Sequence, residues 1–281
     1  MAGTLYVIAT PLGNLDDLSP RALDVLSRVE TVACEDTRRT ARLLARYELK
    51  PTTISCHAHN EAARIGPILA ILESGNDVAL VSDGGTPGIS DPGHLLVAEI
   101  RSRDIPIVPL PGPSAVVTLL SVSGLPSDRF VFDGFLPHKG GERRKRLRDL
   151  ATERRTWVVY ETPHRILEAL AEMSEILGER TVVLGRELTK IHEEILAGTA
   201  REILDKLSAG SSKGEFCIAV AGVGKDDLPQ ADDQDELVAS FRSAMEEHGD
   251  DRRAALKSLA RSTGLKKAAL YRSLVEAGEL D

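Results

Sequence analysis

The stretch VSDGGTPGISDPG (81–93) follows directly on the apolar run Asp77-Val78-Ala79-Leu80-Val81. A connection from strand to helix needs only about two to six residues. This one is far longer, carries little side chain, and leaves its backbone N–H and C=O groups free to meet something other than protein. Two shorter stretches share its character, ATPLGNL (9–15) and LPGPSAVV (110–117), and each also follows a strand-like run. In an open parallel α/β sheet, loops that follow strands collect on the carboxyl edge, where ligands bind. Three such loops predict a cofactor cleft.

The rest of the chain fits that frame. Strand-like runs near 4–9, 30–34, 52–56, 77–81, 105–108, 130–133, 156–160, 181–184 and 215–221 alternate with helical patterns over 20–29, 37–47, 61–73, 94–102, 114–123 and 163–177. Ser19-Pro20 is a helix start, with serine as the N-cap and proline at the first helical position. Alternation of this kind predicts an α/β fold with helices covering a mainly parallel sheet. The three prolines Pro109, Pro111 and Pro113 punctuate the middle as a hinge. The expected organisation is an N-terminal α/β domain over 1–112 and a second α/β domain over 113–224. A polar, acidic linker over 225–234 and a helical module over 235–281 follow. In that module Leu237, Val238, Phe241 and Met245 recur at helical spacing. Residues 252–275 read as two helices joined at Ser262-Thr263-Gly264, in the manner of a helix-turn-helix, with Leu256, Leu259, Leu270 and Leu274 inward.

Composition narrows the class. With 281 residues, 42% hydrophobic and 28% charged, the chain is an ordinary globular protein. At 4% aromatic residues, its core must be built mainly from Leu, Val, Ile and Ala. The longest apolar runs are strand-sized, short of the roughly 20 residues that span a bilayer. No basic segment precedes a long apolar one at the start, so a secretory leader is not expected. Cys34, Cys56 and Cys217 sit in apolar surroundings without CxxC spacing, as small buried hydrophobes do in a reducing cytoplasm. The net charge of −8 argues mildly against nucleic acid, so local patches decide. Two are basic: HKGGERRKRLR (138–148), which opens a helix beside the cleft, and the tail over 251–275, where Asp251 is the one acidic residue. Both suit phosphate contact, through Lys139, Arg143, Arg144, Lys145 and Arg146 in the first and Arg252, Arg253, Lys266 and Lys267 in the second.

Common chemical signatures are missing from the sequence. No G-x-G-x-x-G follows the first strand, no GxxxxGK[ST] cradles a phosphate, and GISDPG lacks the serine spacing of a nucleophile elbow. His57-Ala58-His59 would place two imidazoles on one strand face, with no third ligand nearby for a metal.

The ordered segments LYVIATPLGNLDDLSPRAL, EDTRRT, HAHNE, LVSDGGTPGISDPG, VPLPGPSAVVTLLSVSGLPSDRFVFDGFLP, VVYETPHR and LGRELTKIHEE together resemble the 16S rRNA (cytidine 2′-O)-methyltransferases, a branch of the tetrapyrrole methylase superfamily. The resemblance covers residues 4 to about 222, and the basic helical tail matches an extension found in that branch. It implies two α/β domains of the tetrapyrrole methylase fold with S-adenosyl-L-methionine in the cleft between them. It also implies a homodimer and methylation of a cytidine ribose in the decoding region of 16S rRNA, within the 30S subunit. Carried onto this chain, Pro11 and Gly13 line the cleft floor. Asp83, Gly84, Gly85, Thr86, Pro87, Ile89 and Ser90 contact the cofactor, and Pro111, Gly112, Pro113, Ser114 and Ala115 close the hinge side. Tyr160, Glu161, Leu184 and Gly185 supply further adenosine contacts. Catalytic candidates lie where the resemblance is densest: Glu35, Asp36, Arg38, His59, Glu187 and Lys190. Of these, Glu187 or Lys190 is expected nearest the acceptor hydroxyl, with Arg38 on a phosphate. A small-molecule methyltransferase acting on a tetrapyrrole is the alternative within the fold, and a non-catalytic RNA adaptor is the alternative outside it.

Overall fold

The computed structural model describes residues 2–223, 232–249, 251–263, 265 and 267–280. Most of the expected linker, 225–231, lies outside the described residues, as do Gly264 and Lys266. The chain divides into two compact units, Met1–Gly222 and Val223–Asp281.

The first unit opens with β1 (Leu5–Ile8), α1 (Pro20–Arg28), β2 (Thr31–Cys34), α2 (Thr37–Arg46), β3 (Thr52–Ser55), α3 (Glu61–Glu73), β4 (Val78–Val81), α4 (His94–Ser102) and β5 (Ile107–Leu110). Ser19 caps α1 by accepting the Ala22 N–H at 3.1 Å, with Pro20 at the first helical position. The five strands form one wholly parallel sheet in the order β3-β2-β4-β1-β5. Side chains alternate across it. Ile8, Ala79 and Val81 pack under α1 and α2, whereas Leu5, Val78 and Leu80 pack under α3 and α4. β5 lies at the sheet edge, which is why it can contain Pro109, a residue with no N–H for a second neighbour.

After α5 (Ala115–Ser123) come β6 (Phe130–Phe135), α6 (Gly140–Ala151), β7 (Thr156–Glu161), α7 (Ile166–Leu177), β8 (Thr181–Arg186), β9 (Glu194–Thr199), α8 (Ala200–Ala209) and β10 (Phe216–Val220). This second sheet has the order β6-β7-β10-β8-β9, and only β6 and β7 run parallel. The expectation of a mainly parallel sheet therefore holds for the first sheet and fails for the second. The short connection 187–193 forces β8 and β9 into an antiparallel hairpin. β9, which the sequence reading did not find, is a polar-edged strand with Gly198 next to its last residue. One face of this sheet packs Trp157, Val159, Leu184 and Ile218 against α6, α7 and α8. The other packs Val158, Val183 and Cys217 against Val116, Leu119 and Leu120 of α5. The three cysteines are free and buried.

One basic helix needs correction. α6 does carry HKGGERRKRLR, but Arg143 is only 1% exposed. Its guanidinium donates to Glu172 at 2.7 and 3.1 Å and meets Glu168 at 2.7 Å, both on α7. Arg143, Leu147 and Leu150 share the buried side of α6, so Arg143 ties two helices together and is not presented to a phosphate. Arg144 pairs with Glu175 and Arg146 with Asp133, whereas Lys145 and Arg148 stand exposed.

The second unit contains α9 (Asp232–Glu247), α10 (Arg252–Thr263) and α11 (Lys267–Glu276) around Phe241, Ala255, Leu259, Leu270 and Leu274, with Leu256 half-buried. Asp251 caps α10, accepting the N–H groups of Arg253 and Ala254 at 2.9 and 3.1 Å. Arg252, Arg253 and Lys267 are exposed. No helix among the described residues is long and apolar enough to cross a membrane.

Candidate active site

Because the first sheet is parallel, the segments that follow β1, β2, β4 and β5 gather along one edge. Hydrogen bonds lock three of them together. Thr10 and Gly85 exchange backbone bonds of 2.8 and 2.9 Å. Thr10 Oγ1 donates to Ser82 O at 3.0 Å, and Thr86 Oγ1 donates to Pro113 O at 3.3 Å. Gly85 has φ +91°, a conformation that other residues adopt with strain, and a Cβ on Gly84 would lie 3.3 Å from Pro11 O. The far end of the long loop is anchored differently. Gly93 N–H and Leu96 N–H both donate to the buried Glu61 carboxylate at 3.0 Å. Glu61, the last residue of HAHNE, thus caps α4 from inside the fold.

This edge faces a cavity of about 780 Å³ whose other wall comes from the second sheet. Pro11 and Gly13 line it from the first loop. Asp83, Gly84, Gly85, Thr86, Ile89 and Ser90 line it from the long loop, and Ser114 and Ala115 from the third. Tyr160, Glu161 and Gly185 face it from the second sheet, as expected. Leu184 does not. It alternates with Gly185 and points into the opposite, helix-covered face, fully buried. Pro87, Pro111, Gly112 and Pro113 shape the loops without lining the cavity. Of the catalytic candidates, Glu35 and Lys190 line it, whereas Asp36, Arg38, Glu187 and His59 do not. Asp36 caps α2, its carboxylate held well below the usual range by hydrogen bonds to the Arg38 side chain and backbone, with Arg38 itself 86% exposed. His57 and His59 are not on a strand, since β3 ends at Ser55. They sit edge to face at 6.1 Å in the turn before α3. Sequence reasoning named Asp91 only as a possible hydrogen-bond acceptor and left out Arg39, Phe135 and Glu215; all four line the cavity.

The cavity suits a mixed ligand with a flat apolar part. Tyr160 packs edge to face against Phe132 at 4.9 Å and Phe135 at 5.5 Å. Phe135 and Ile89, each 48% exposed, are the apolar surfaces on offer. Glu161 supplies an unmet acceptor. Its Oε1 takes the Thr162 N–H at 2.7 Å and the Arg165 guanidinium at 2.6 Å, while its buried Oε2 has no partner. A buried carboxylate oxygen without a donor is costly, but the Glu161 side chain has no exposed surface, so this oxygen stands behind the cavity wall.

Charge in the cavity is mainly negative on the long-loop side. Asp83 accepts the Asp36 N–H at 2.9 Å and faces Arg39 at 3.5 Å. Burial raises the Glu35 carboxyl, and the Asp83 charge raises it further. Burial, then Glu35 and Asp83, push Asp91 up to about 7. Opposite stands one cation. Lys190 Nζ donates to Glu187 Oε1 at 2.8 Å and Glu215 Oε2 at 3.1 Å. Burial alone would lower the Lys190 pKa, but these carboxylates outweigh it and the ammonium is held protonated. Burial likewise opposes ionisation of Glu187, and Lys190 with the Glu215 N–H outweighs it. The connection bearing Lys190 is held in a strained form, with Glu187 at φ 53° and Thr189 at φ 66°. Thr189 Oγ1 accepts the Asn14 N–H at 3.1 Å, so this hairpin reaches across to the first loop.

The Lys190 stem lies over Gly13, where a Cβ would stand 2.2 Å from Lys190 Cγ. Gly13→Ala is therefore expected to displace the ammonium from Glu187 and Glu215 and to lower turnover about as much as Lys190→Ala does. Folding stability should change by less than about 1 kcal/mol, as for a surface substitution. A variant with wild-type turnover would show that the Lys190 position does not matter.

The family of Tetrapyrrole (Corrin/Porphyrin) Methylases matches residues 4–204. A ribosomal RNA small subunit methyltransferase I from Synechocystis sp. is 43% identical over 275 residues, 98% of each chain. One from Pseudomonas aeruginosa is 49% identical over 224 residues, 79% of each chain. Among solved structures, uroporphyrin-III C-methyltransferase from Thermus thermophilus, complexed with S-adenyl homocysteine, has the same fold, with a TM-score of 0.56 at 18% identity. That match covers 77% of this chain and 97% of that one.

Proposed function

We propose that this chain, which belongs to the tetrapyrrole methylase family and within it to the ribosomal RNA small subunit methyltransferases I, transfers a methyl group from S-adenosyl-L-methionine to the 2′-hydroxyl of a cytidine in 16S rRNA. The observation that carries this reading is identity of 43% along 98% of the chain to an rRNA methyltransferase, joined to a loop-built cleft. The tetrapyrrole alternative is not favoured, because tetrapyrrole methyltransferases that share the fold are only 17–22% identical. The finer assignment, to a cytidine 2′-oxygen in the decoding region of an assembled 30S subunit, is ours. So are a cytoplasmic location and a homodimer.

The three glycine-bearing loops and Tyr160 would hold the cofactor. S-adenosylmethionine, when bound, supplies an electrophilic methyl group on a sulfonium with a good neutral leaving group. What remains for the chain is alignment and charge. Aligning acceptor and methyl carbon can contribute ~7–11 kcal/mol. The acidic side chains Glu35 and Asp83 on one side of the cleft favour a cationic ligand. Lys190, protonated on the other side, is placed to stabilise an oxygen that gains negative charge as it loses its proton. Binding of one S-adenosylmethionine per chain, measured by calorimetry, is the first requirement; failure to bind removes the reading.

Contact with rRNA falls to the exposed cations. Lys139, Lys145 and Arg148 of the α6 region and Arg252, Arg253 and Lys267 of the tail are exposed. Arg144 and Arg146 could join only by leaving Glu175 and Asp133. Each phosphate contact adds about 0.7–0.9 to the slope of log affinity against log salt. The combined variant Lys139→Ala, Lys145→Ala, Arg148→Ala should flatten that slope by about 2 for 30S binding. An unchanged slope would place the RNA elsewhere.

A further inference from the structure

The acceptor, a ribose hydroxyl, holds its proton tightly at neutral pH, so the transfer gains about 10²–10⁴-fold from a group that takes it. Taking the proposed activity as given, the cleft offers few candidates. Lys190 is a protonated donor, committed to Glu187 and Glu215. Asp83 already accepts from the Asp36 N–H and faces Arg39, whose charge also favours the ionised form of Glu35, and Glu215 is held by Lys190. Glu161 is pinned by Arg165 and fully buried. Burial pushes the Tyr160 phenol and the Cys217 thiol up, away from ionisation near neutrality.

Asp91 differs from all of these. It lines the cavity, is only partly buried, and sits in a loop that cannot easily move. Ser90 before it has φ 61°, Gly88 N–H donates to Pro92 O at 3.1 Å, and Gly93 N–H is fixed on Glu61. Ser90 Oγ also lies 3.2 Å from where a Cβ of Gly134 in β6 would stand, so the loop is braced against the second sheet. The groups that face the Asp91 carboxyl come from four directions: Glu35 after β2, Asp83 and Ser82 on its own loop, Glu215 before β10, and Tyr160 on β7. Three of these neighbours are acids, and the cations lining the same cavity are engaged by them, Arg39 facing Asp83 at 3.5 Å and Lys190 donating to Glu215 at 3.1 Å.

We propose that Asp91 is the general base of the methyl transfer. The O–H bond of the ribose breaks and its proton moves to the Asp91 carboxylate. The oxygen takes the methyl group from sulfur, and the electron pair of that bond stays on sulfur. Asp91 afterwards gives the proton to water. Its environment supports the role, since a base works best when its pKa lies near the working pH, and Asp91 is pushed up to about 7.

Asp91→Asn keeps the shape and removes the base. It should lower kcat about 10²–10⁴-fold while S-adenosylmethionine affinity changes less than about threefold. In the wild type log kcat/KM for S-adenosylmethionine, which reports the free enzyme, should rise with unit slope up to pH about 7 and then level, and in Asp91→Asn it should be flat. A second readout needs no turnover. In the cofactor-free protein, infrared difference titration should show one carboxyl band lost near pH 7 that is missing in Asp91→Asn. At pH 8 the variant should be at least as stable as the wild type. Ionised Asp91 is disfavoured by burial and by Glu35 and Asp83, so its contribution to stability falls as pH rises from the ordinary carboxylate range to about 7. Wild-type turnover in Asp91→Asn, or a band that titrates in the ordinary range, overturns the proposal. If the wild type itself moves no methyl group to 30S subunits, the functional reading fails and this proposal falls with it.

Discussion

Lys190→Ala should slow methyl transfer on the order of 10²–10³-fold and leave S-adenosylmethionine affinity nearly unchanged. The side chain reaches the cavity from the strained hairpin between β8 and β9, and two carboxylates at 2.8 and 3.1 Å keep it charged there. A fixed cation in a partly water-excluded site costs no reorganisation when charge develops on the acceptor oxygen, which is why its removal should appear in kcat. Glu187 acts through Lys190: Glu187→Gln should weaken the hold on the ammonium and give a smaller loss. Turnover unchanged in Lys190→Ala would remove the residue from the chemistry and leave it as a brace over Gly13.

Arg143→Ala should destabilise the protein by about 3–5 kcal/mol, the usual effect of breaking a buried ion pair from one side. The guanidinium is buried and held by two hydrogen bonds to Glu172, which is itself largely buried, with Glu168 as a third contact. Loss of the cation strands the Glu172 carboxylate between α6 and α7. Pairing the change with Glu172→Leu should restore a large part of the stability, because replacing both charges by apolar groups avoids the stranded acid. Urea midpoints of the three proteins check this. Below the unfolding transition, 30S affinity of Arg143→Ala should match wild type. A selective loss of RNA binding with unchanged stability would contradict the buried geometry.

These two residues also show where the sequence was readable. The glycine-rich loops announced the cleft, since excess loop with little side chain after a strand has few other uses. The burial of Arg143 was present in the pattern as well: it shares a helical face with Leu147 and Leu150. A run of six cations masks that signal, because charge alone suggests solvent. Leu184 and Gly185 alternate across a sheet, and period two tells that one faces the cleft without telling which. β9 escaped because its alternation is weak and a glycine interrupts it. Asp91 was legible as a possible hydrogen-bond acceptor and no more. Its proton affinity depends first on burial and then on Glu35, with smaller effects of Asp83 and Glu215, and the fold alone creates that burial and brings Glu35 and Glu215 near.

Labelled methyl transfer from S-adenosylmethionine to 30S subunits prepared from cells lacking this modification, with the product mapped by nucleotide, tests the proposed activity most directly. The result expected is one methyl group on one cytidine 2′-oxygen. Cofactor binding without any transfer to rRNA, or a methyl group found on a base, would contradict it.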